Sequence, residues 1–165
     1  MISKTLVDEM NEQIMHEMYS SYLYLSMSAY TESANWQGFA TWLKVQAKEE
    51  LEHALKFYEH IHDRGGRVLL KAIPQPPAEF KAMLDVFKQV YDHEQKVTAR
   101  INTIYAAAVK ENDYASQVFL QWFINEQVEE EKNACQIVDA LTKIGESNNG
   151  LFALDHRLGK RGGED

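Results

Sequence analysis

The sequence predicts an all-α protein, a four-helix bundle with a long crossover between its second and third helices and a short fifth helix. Three observations carry this. Apolar residues recur at steps of three and four along four long stretches, the period of a helix face and not of a strand. Helix breakers are confined: all three prolines, Pro74, Pro76 and Pro77, lie in one segment that begins at Gly65 and Gly66. That segment is long enough to run the length of a bundle.

A first helix is expected over about 3–33, with Met10, Ile14, Glu17, Ser21, Tyr24 and Met27 along its inward stripe. After a short turn in "SANWQG", a second over about 37–64 turns Phe39, Leu43, Gln46, Glu50, His53 and Phe57 inward. A third, over about 80–110, carries Phe80, Leu84, Phe87, Tyr91, Glu94, Val97, Ile101, Ile104 and Ala108. Asn112 and Asp113 make the next turn, and a fourth helix over about 113–144 carries Phe119, Phe123, Gln127, Glu130, Ala134, Ile137, Leu141 and Ile144. "ESNNG" then precedes a fifth helix over about 151–158, and the tail 159–165, "GKRGGED", is expected to be disordered. The second helix, about 28 residues at about 1.5 Å each, is about 42 Å long. The segment "GRVLLKAIPQPPAE" reaches at most about 46–50 Å when extended. It therefore returns the chain to the far end of the bundle, leaving the second and third helices parallel and each half an antiparallel hairpin. The whole chain, 1–165, reads as a single domain.

Composition narrows the function. With 165 residues, 45% of them hydrophobic and 25% charged, the chain can bury a core of ordinary globular type. Its 25 acids against 17 bases give a formal charge of −8, which argues against nucleic acid as a partner and favours cations. A lone cysteine, Cys135, excludes an intramolecular disulfide and any Cys-x-x-Cys site, in keeping with a reducing cytoplasm. The N-terminus "MISKTLVDEMNEQ" is too polar for a signal peptide, and no apolar run approaches the roughly 18 residues of a membrane span. A cytoplasmic protein without a membrane partner is expected.

Each inward stripe is interrupted near its middle by polar residues, and the interruptions repeat. Glu17 and Glu50 are separated by 33 positions, as are Glu94 and Gln127. Shifting Glu17, Glu50 and His53 forward by 77 lands on Glu94, Gln127 and Glu130, so Glu-x32-Glu-x-x-His in the first half becomes Glu-x32-Gln-x-x-Glu in the second. Two hairpins related by an approximate twofold would gather all six in one layer. A single glutamate on such a stripe usually snorkels out at the helix edge, but four buried together need positive compensation. No lysine or arginine lies on these stripes. The economical counter-charge is metal, and carboxylates with one imidazole suit a pair of iron or manganese ions better than structural zinc.

At these residues the chain resembles a known family. "EMYSSYLYLSMSAY", "QAKEELEHALKFY", "YDHEQKV" and "FLQWFINEQVEEEK", with "RGGRVLLKAIPQPP" in the crossover, are similar to the signatures of the non-haem ferritins of bacteria and archaea. The resemblance implies a ferritin-like bundle that stores iron and acts as a ferroxidase. Fe(II) would be oxidised by O2 or peroxide at a di-iron site and laid down as hydrated ferric oxide inside a hollow shell, usually of 24 subunits. It further implies that Glu17, Glu50 and His53 hold the first iron, with Glu50 bridging, that Glu94 and Glu130 complete the second, and that Gln127 stands nearby as a weak or hydrogen-bonding partner. Glu49, Glu126 and Glu129 would join Glu130 at a third iron site. Tyr24, and less directly Trp122, would supply an electron to oxygen.

Departures from related patterns also inform. A second Glu-x-x-His is absent, since Glu130 stands where bacterioferritins carry histidine, so the second iron should exchange readily. Leu51 and Glu52 beside the histidine motif give no haem ligand, and no haem is expected. Counting back from Asn125-Glu126-Gln127-Val128 puts Gln117 and Leu120 where animal ferritins line threefold channels with acids, so that funnel should be missing. His16, His60, His62, His93 and His156 are assigned to surface or interface. Two competing functions remain: a di-iron oxygenase or peroxide-reducing enzyme, and a purely structural bundle.

Overall fold

The computed structural model describes residues 1–145 and 147–161. Five helices follow in order: α1 (Lys4–Ser33), α2 (Gln37–Asp63), α3 (Met83–Lys110), α4 (Tyr114–Ile144) and α5 (Asn148–Leu158). None among the described residues is long and apolar enough to cross a membrane. Local chemistry sets most of their ends. Ser3 starts α1 by accepting from the Leu6 N–H at 3.1 Å, satisfying one of the donors a helix start leaves orphaned. Asn35 stops it in the left-handed conformation, φ 62°, which asparagine tolerates better than most residues.

Two boundaries differ from expectation. The third helix begins at Met83, not Phe80, because Ala82 is extended and Phe80 packs edge-on to Tyr30, ring centroids 5.2 Å apart. The fifth begins at Asn148, with Asn148–Gly150 forming its first turn instead of a loop. Ser147 caps that turn by accepting from the Gly150 N–H.

Pairings across the bundle fix the topology. Gln13 meets Arg100, Ser20 meets His93 and Tyr30 meets Phe80, so rising positions on α1 face falling positions on α3 and then the segment that leads into it. The two run antiparallel, and α3 is therefore parallel to α2, as the crossover requires. That crossover is strapped along α1. Near one end Asn11 donates to the Arg67 carbonyl at 3.1 Å and accepts from the Leu69 N–H at 2.9 Å; near the other, the Ser26 hydroxyl donates to the Pro77 carbonyl at 2.6 Å.

The apolar core is in two parts. Leu6, Met10, Ile14, Phe57, Ile101 and Phe123 belong to one, and Met27, Phe39, Leu43, Phe87, Ile137 and Leu141 to the other. On every long helix the gap between them is filled by buried polar side chains, at Glu17, at Glu50 and His53, at Glu94, and at Gln127 and Glu130. Leu120 is fully buried among the first group. Gln117 is half-buried and donates to the Ala108 carbonyl at 3.2 Å.

The tail is a further correction. It does not fray at Gly159: residues 159–161 form a turn, and the Arg161 guanidinium lies 4.4 Å from the Trp42 ring centroid. Residues 162–165, also expected to be disordered, lie outside the described residues. What brings the tail here is the docking of α5 on the start of α2, where the Phe39 N–H donates to Asp155 Oδ1 at 2.9 Å. Only glycine permits the approach, since a Cβ on Gly38 would sit 1.7 Å from the Asp155 carbonyl oxygen.

At the opposite end Asp113 does two jobs. It caps α4 by accepting from the Ser116 N–H at 2.9 Å, and it clamps α2 to α4 through Arg64, whose Nη1 and Nη2 lie 2.9 and 3.0 Å away. The Arg64 hydrogen bonds hold its carboxyl down to about 2, against the usual 3.8. Asp113→Ala should lower the unfolding free energy by about 1–2 kcal/mol near neutral pH, the worth of a lost cap and a modest clamp. A depressed folded pKa gives stability that is complete above about pH 4 and is lost as pH falls through about 2. Denaturant melts of native and variant protein should therefore differ at about pH 6 and converge at about pH 2. Equal stability at about pH 6 would show that the clamp contributes nothing.

Candidate metal centre

Glu17 on α1 and Glu50 and His53 on α2 come together in the polar layer, each offering a ligand atom within 4.8 Å of the others'. The reason is register: α1 and α2 are antiparallel neighbours, and a Glu-x-x-His step places both side chains of α2 on the face turned to Glu17. All three are at most 4% exposed. Glu17 accepts from Gln13 Nε2 at 2.8 Å and Glu50 from Gln46 Nε2 at 2.9 Å. Two atoms are left over. Glu17 Oε2 and His53 Nδ1 are buried without a hydrogen-bond partner, and His53 Nδ1 lies 3.6 Å from Glu50 Oε2, beyond hydrogen-bond reach. Buried polar atoms are rarely orphaned, and a cation between them would engage both.

Glu94 on α3 lies in the same layer and is fully occupied on its outer side. It accepts from the Tyr24 hydroxyl at Oε1 and from Gln127 Nε2 at Oε2, 3.1 Å away. Glu130, one turn beyond Gln127 on α4, is 4% exposed. The four acids of the layer do not ionise alike. Burial and the Glu50 charge push Glu17 and Glu94 well above the carboxylate range, and the same causes push Glu130 up to about 7. Glu50 alone is held low: burial opposes its charge, but His53 and Gln46 outweigh that burial. His53 is correspondingly raised, its burial overcome by Glu50 and the neighbouring carboxylates. Protons thus balance the layer, and a metal ion would have to displace them.

Outside this layer lies a looser acidic group. Glu126 Oε1 is 4.0 Å from His53 Nε2. Glu49 is half-buried and bonded to Arg161, while Glu129 is exposed, with no ion pair or hydrogen bond among the described residues.

The family model of the ferritin-like domain matches residues 7–144 of the chain. The chain belongs to the ferritin family. It is 41% identical to the bacterial non-heme ferritin of Staphylococcus haemolyticus over 161 residues, covering 98% of this chain and 97% of that one. Identity to the bacterial non-heme ferritin of Staphylococcus aureus is 38% over a span of the same coverage. Among solved structures, an open pore ferritin from the hyperthermophilic archaeon Archaeoglobus fulgidus superposes with a TM-score of 0.97 at 46% identity, covering 98% of this chain and 99% of that one. A humanized archaeal ferritin gives 0.98 at 44% identity over the full length of both.

Several residues of this ferritin layer escaped the sequence reading. Gln13 and Gln46 each stand four positions before the glutamate they serve, and that shared spacing was the available signal. His93, assigned with the other histidines to surface or interface, is half-buried. Its Nε2 is 2.7 Å from Ser20 Oγ, and its ring meets Tyr24 edge-on at 5.8 Å. Burial drives its pKa down to about 4, so it packs as a neutral wall behind Tyr24. His60 is half-buried as well, stacked on Phe119 at 4.0 Å. Trp122 is 40% exposed and stands edge-on to His53, 5.3 Å away.

Metal uptake should release protons in a pH-dependent way. Glu130 keeps a proton below about pH 7 that an incoming ion must expel; above that it is already ionised. Titration calorimetry with Zn(II), in buffers of different ionisation enthalpy, should show more protons released per subunit at about pH 6 than at about pH 8, from Glu130 and the raised His53 together. Glu130→Gln should reduce the difference and leave the part due to His53. Identical release at both pH values in the native protein would contradict the assignment.

Proposed function

We propose that this protein stores iron and oxidises it at the buried layer before depositing it. Membership of the ferritin family carries the storage function. The ferroxidase step rests chiefly on one observation: Glu17 Oε2 and His53 Nδ1 are buried, partnerless and clustered with Glu50 in a layer otherwise sealed by apolar core. In this reading Glu17, Glu50 and His53 take the first Fe(II). Glu50 bridges to a second, held by Glu94 and Glu130 with Gln127 alongside.

Oxygen donors predominate, which suits iron and stabilises Fe(III) over Fe(II). Each Fe(II) surrenders one electron, so a pair reduces O2 by two electrons to the peroxide level, the two protons of hydrogen peroxide coming from solvent or from the acids the metal displaces. A third Fe(II), held by Glu49, Glu126, Glu129 and Glu130, would add an electron and Tyr24, hydrogen-bonded to Glu94, another, which with two more protons takes the peroxide on to water. Lacking a second imidazole, the Glu94–Glu130 position binds more weakly and passes its Fe(III) onward, as a turnover site requires.

Deposited mineral needs an enclosure. Exposed apolar side chains support self-association: Tyr22 and Leu25 on α1, Leu51, Leu55 and Tyr58 on α2, and Leu69 and Leu70 on the crossover. A cytoplasmic shell of 24 copies is the form proposed.

Glu50→Ala and His53→Ala test the assignment. Even outer partners of metal ligands are each worth about 10–100-fold, so removing a ligand should slow the fast phase of aerobic Fe(II) oxidation by about a hundredfold or more. Stopped-flow absorbance measures this, with size-exclusion chromatography showing that the assembly is retained. An unchanged fast phase in both variants overturns the assignment. A monomer or dimer that keeps two irons and stores none would favour an oxygenase or peroxide-reducing enzyme instead.

A further inference from the structure

The last described residue, Arg161, is not idle. Its Nη2 donates to Glu49 Oε2 at 2.5 Å and its Nη1 to Gln46 Oε1 at 2.8 Å, while the guanidinium plane lies over Trp42. Three partners on α2 therefore hold one side chain from the far end of the sequence. Two consequences follow from chemistry. First, Arg161 sets the polarity of Gln46: with the amide oxygen taken by the guanidinium, the NH2 must face inward, where it donates to Glu50 Oε1. Second, Arg161 sits on the carboxylate that a third ion would need. Arginine keeps its charge at any working pH, so the two cations cannot share Glu49 by one of them losing a proton. One must leave.

We propose that Arg161 is a tethered cation that occupies Glu49 until iron displaces it. Its role is to keep the third position weak, so that an ion arriving there is passed on and not retained. It is a positioning residue, acting through Glu49 and Gln46 without touching the di-iron pair. This inference rests on the iron-oxidising reading above and concerns only the third position. The effect is modest because Glu49 is over a third exposed, which discounts a charge-assisted bond toward the low end of its range.

The test is an anaerobic Co(II) titration of the assembled protein, followed by the metal's visible absorption and by tryptophan emission. Native protein should bind two ions tightly and a third more weakly. Arg161→Ala should tighten the third by about tenfold, while the first two, which it reaches only through Gln46, should weaken or stay as they are. Arg161→Lys, which keeps the charge but loses the two-pronged bond and the stacking, should fall between. In a Glu49→Ala background the third ion should be lost, and Arg161→Ala should add nothing. Emission from Trp42, identified by its loss in Trp42→Phe, should change with the third equivalent in native protein and not in Arg161→Ala. An unchanged or weaker third ion in Arg161→Ala, or no third ion in either form, overturns the inference while leaving the pair intact. Absence of the two tight ions from native protein would instead overturn the iron-oxidising reading, and this inference with it.

Discussion

Four carboxylates and an imidazole share one layer of a helical bundle from which water is largely shut out. Their mutual repulsion and lost hydration amount to several kcal/mol per ion if left uncompensated, and the rest of the structure is organised around that burden. Above and below the layer the core is ordinary, with aliphatic and aromatic side chains packed on both sides. Within it, burial and the Glu50 charge push the Glu17, Glu94 and Glu130 carboxyls up, while His53 and Gln46 hold Glu50 down against its burial. The same side chains that make the metal-free layer tolerable by binding protons would be free to hold a metal ion once those protons go.

Supporting contacts divide the acids by role. Gln13 and Gln46 each take one oxygen of Glu17 and of Glu50, and Tyr24 with Gln127 takes both oxygens of Glu94. Behind Tyr24 stands His93, braced by Ser20. Such partners fix the direction in which a ligand's remaining lone pairs point, a large part of what distinguishes a metal site from a cluster of acids. The crossover serves the same end at longer range. By strapping itself along α1 and returning the chain to the far end, it makes α2 and α3 parallel. Glu94 is thereby brought to Tyr24 on α1, level with Glu17 and Glu50.

The bundle and its polar layer were legible because both are periodic. A 33-residue spacing of inward polar residues, Glu17 to Glu50 and again Glu94 to Gln127, on stripes largely apolar has no simple explanation at a surface, and the linker's length against a helix's length decides the topology by geometry alone. What the sequence concealed lies off that period. His93 stands one residue before a ligand and so reads as outward, yet the close approach of α1 encloses it. Arg161, in a glycine-rich tail with the composition of a disordered segment, is held by contacts to residues more than a hundred positions earlier. No local pattern announces a partner at that distance; Gly38 lets α5 come close enough for it.

The central claim is that the polar layer exists to hold metal between Glu17, Glu50, His53, Glu94 and Glu130. Crystals of the assembled protein soaked with Fe(II) under anaerobic conditions and measured at the iron absorption edge test it most directly. The account predicts two anomalous peaks in every subunit on the bundle axis, one against Glu17, Glu50 and His53 and one against Glu50, Glu94 and Glu130, with a third, weaker peak at Glu49, Glu126 and Glu129. Iron found only on exposed acids, with the layer between the two apolar clusters empty, would contradict it.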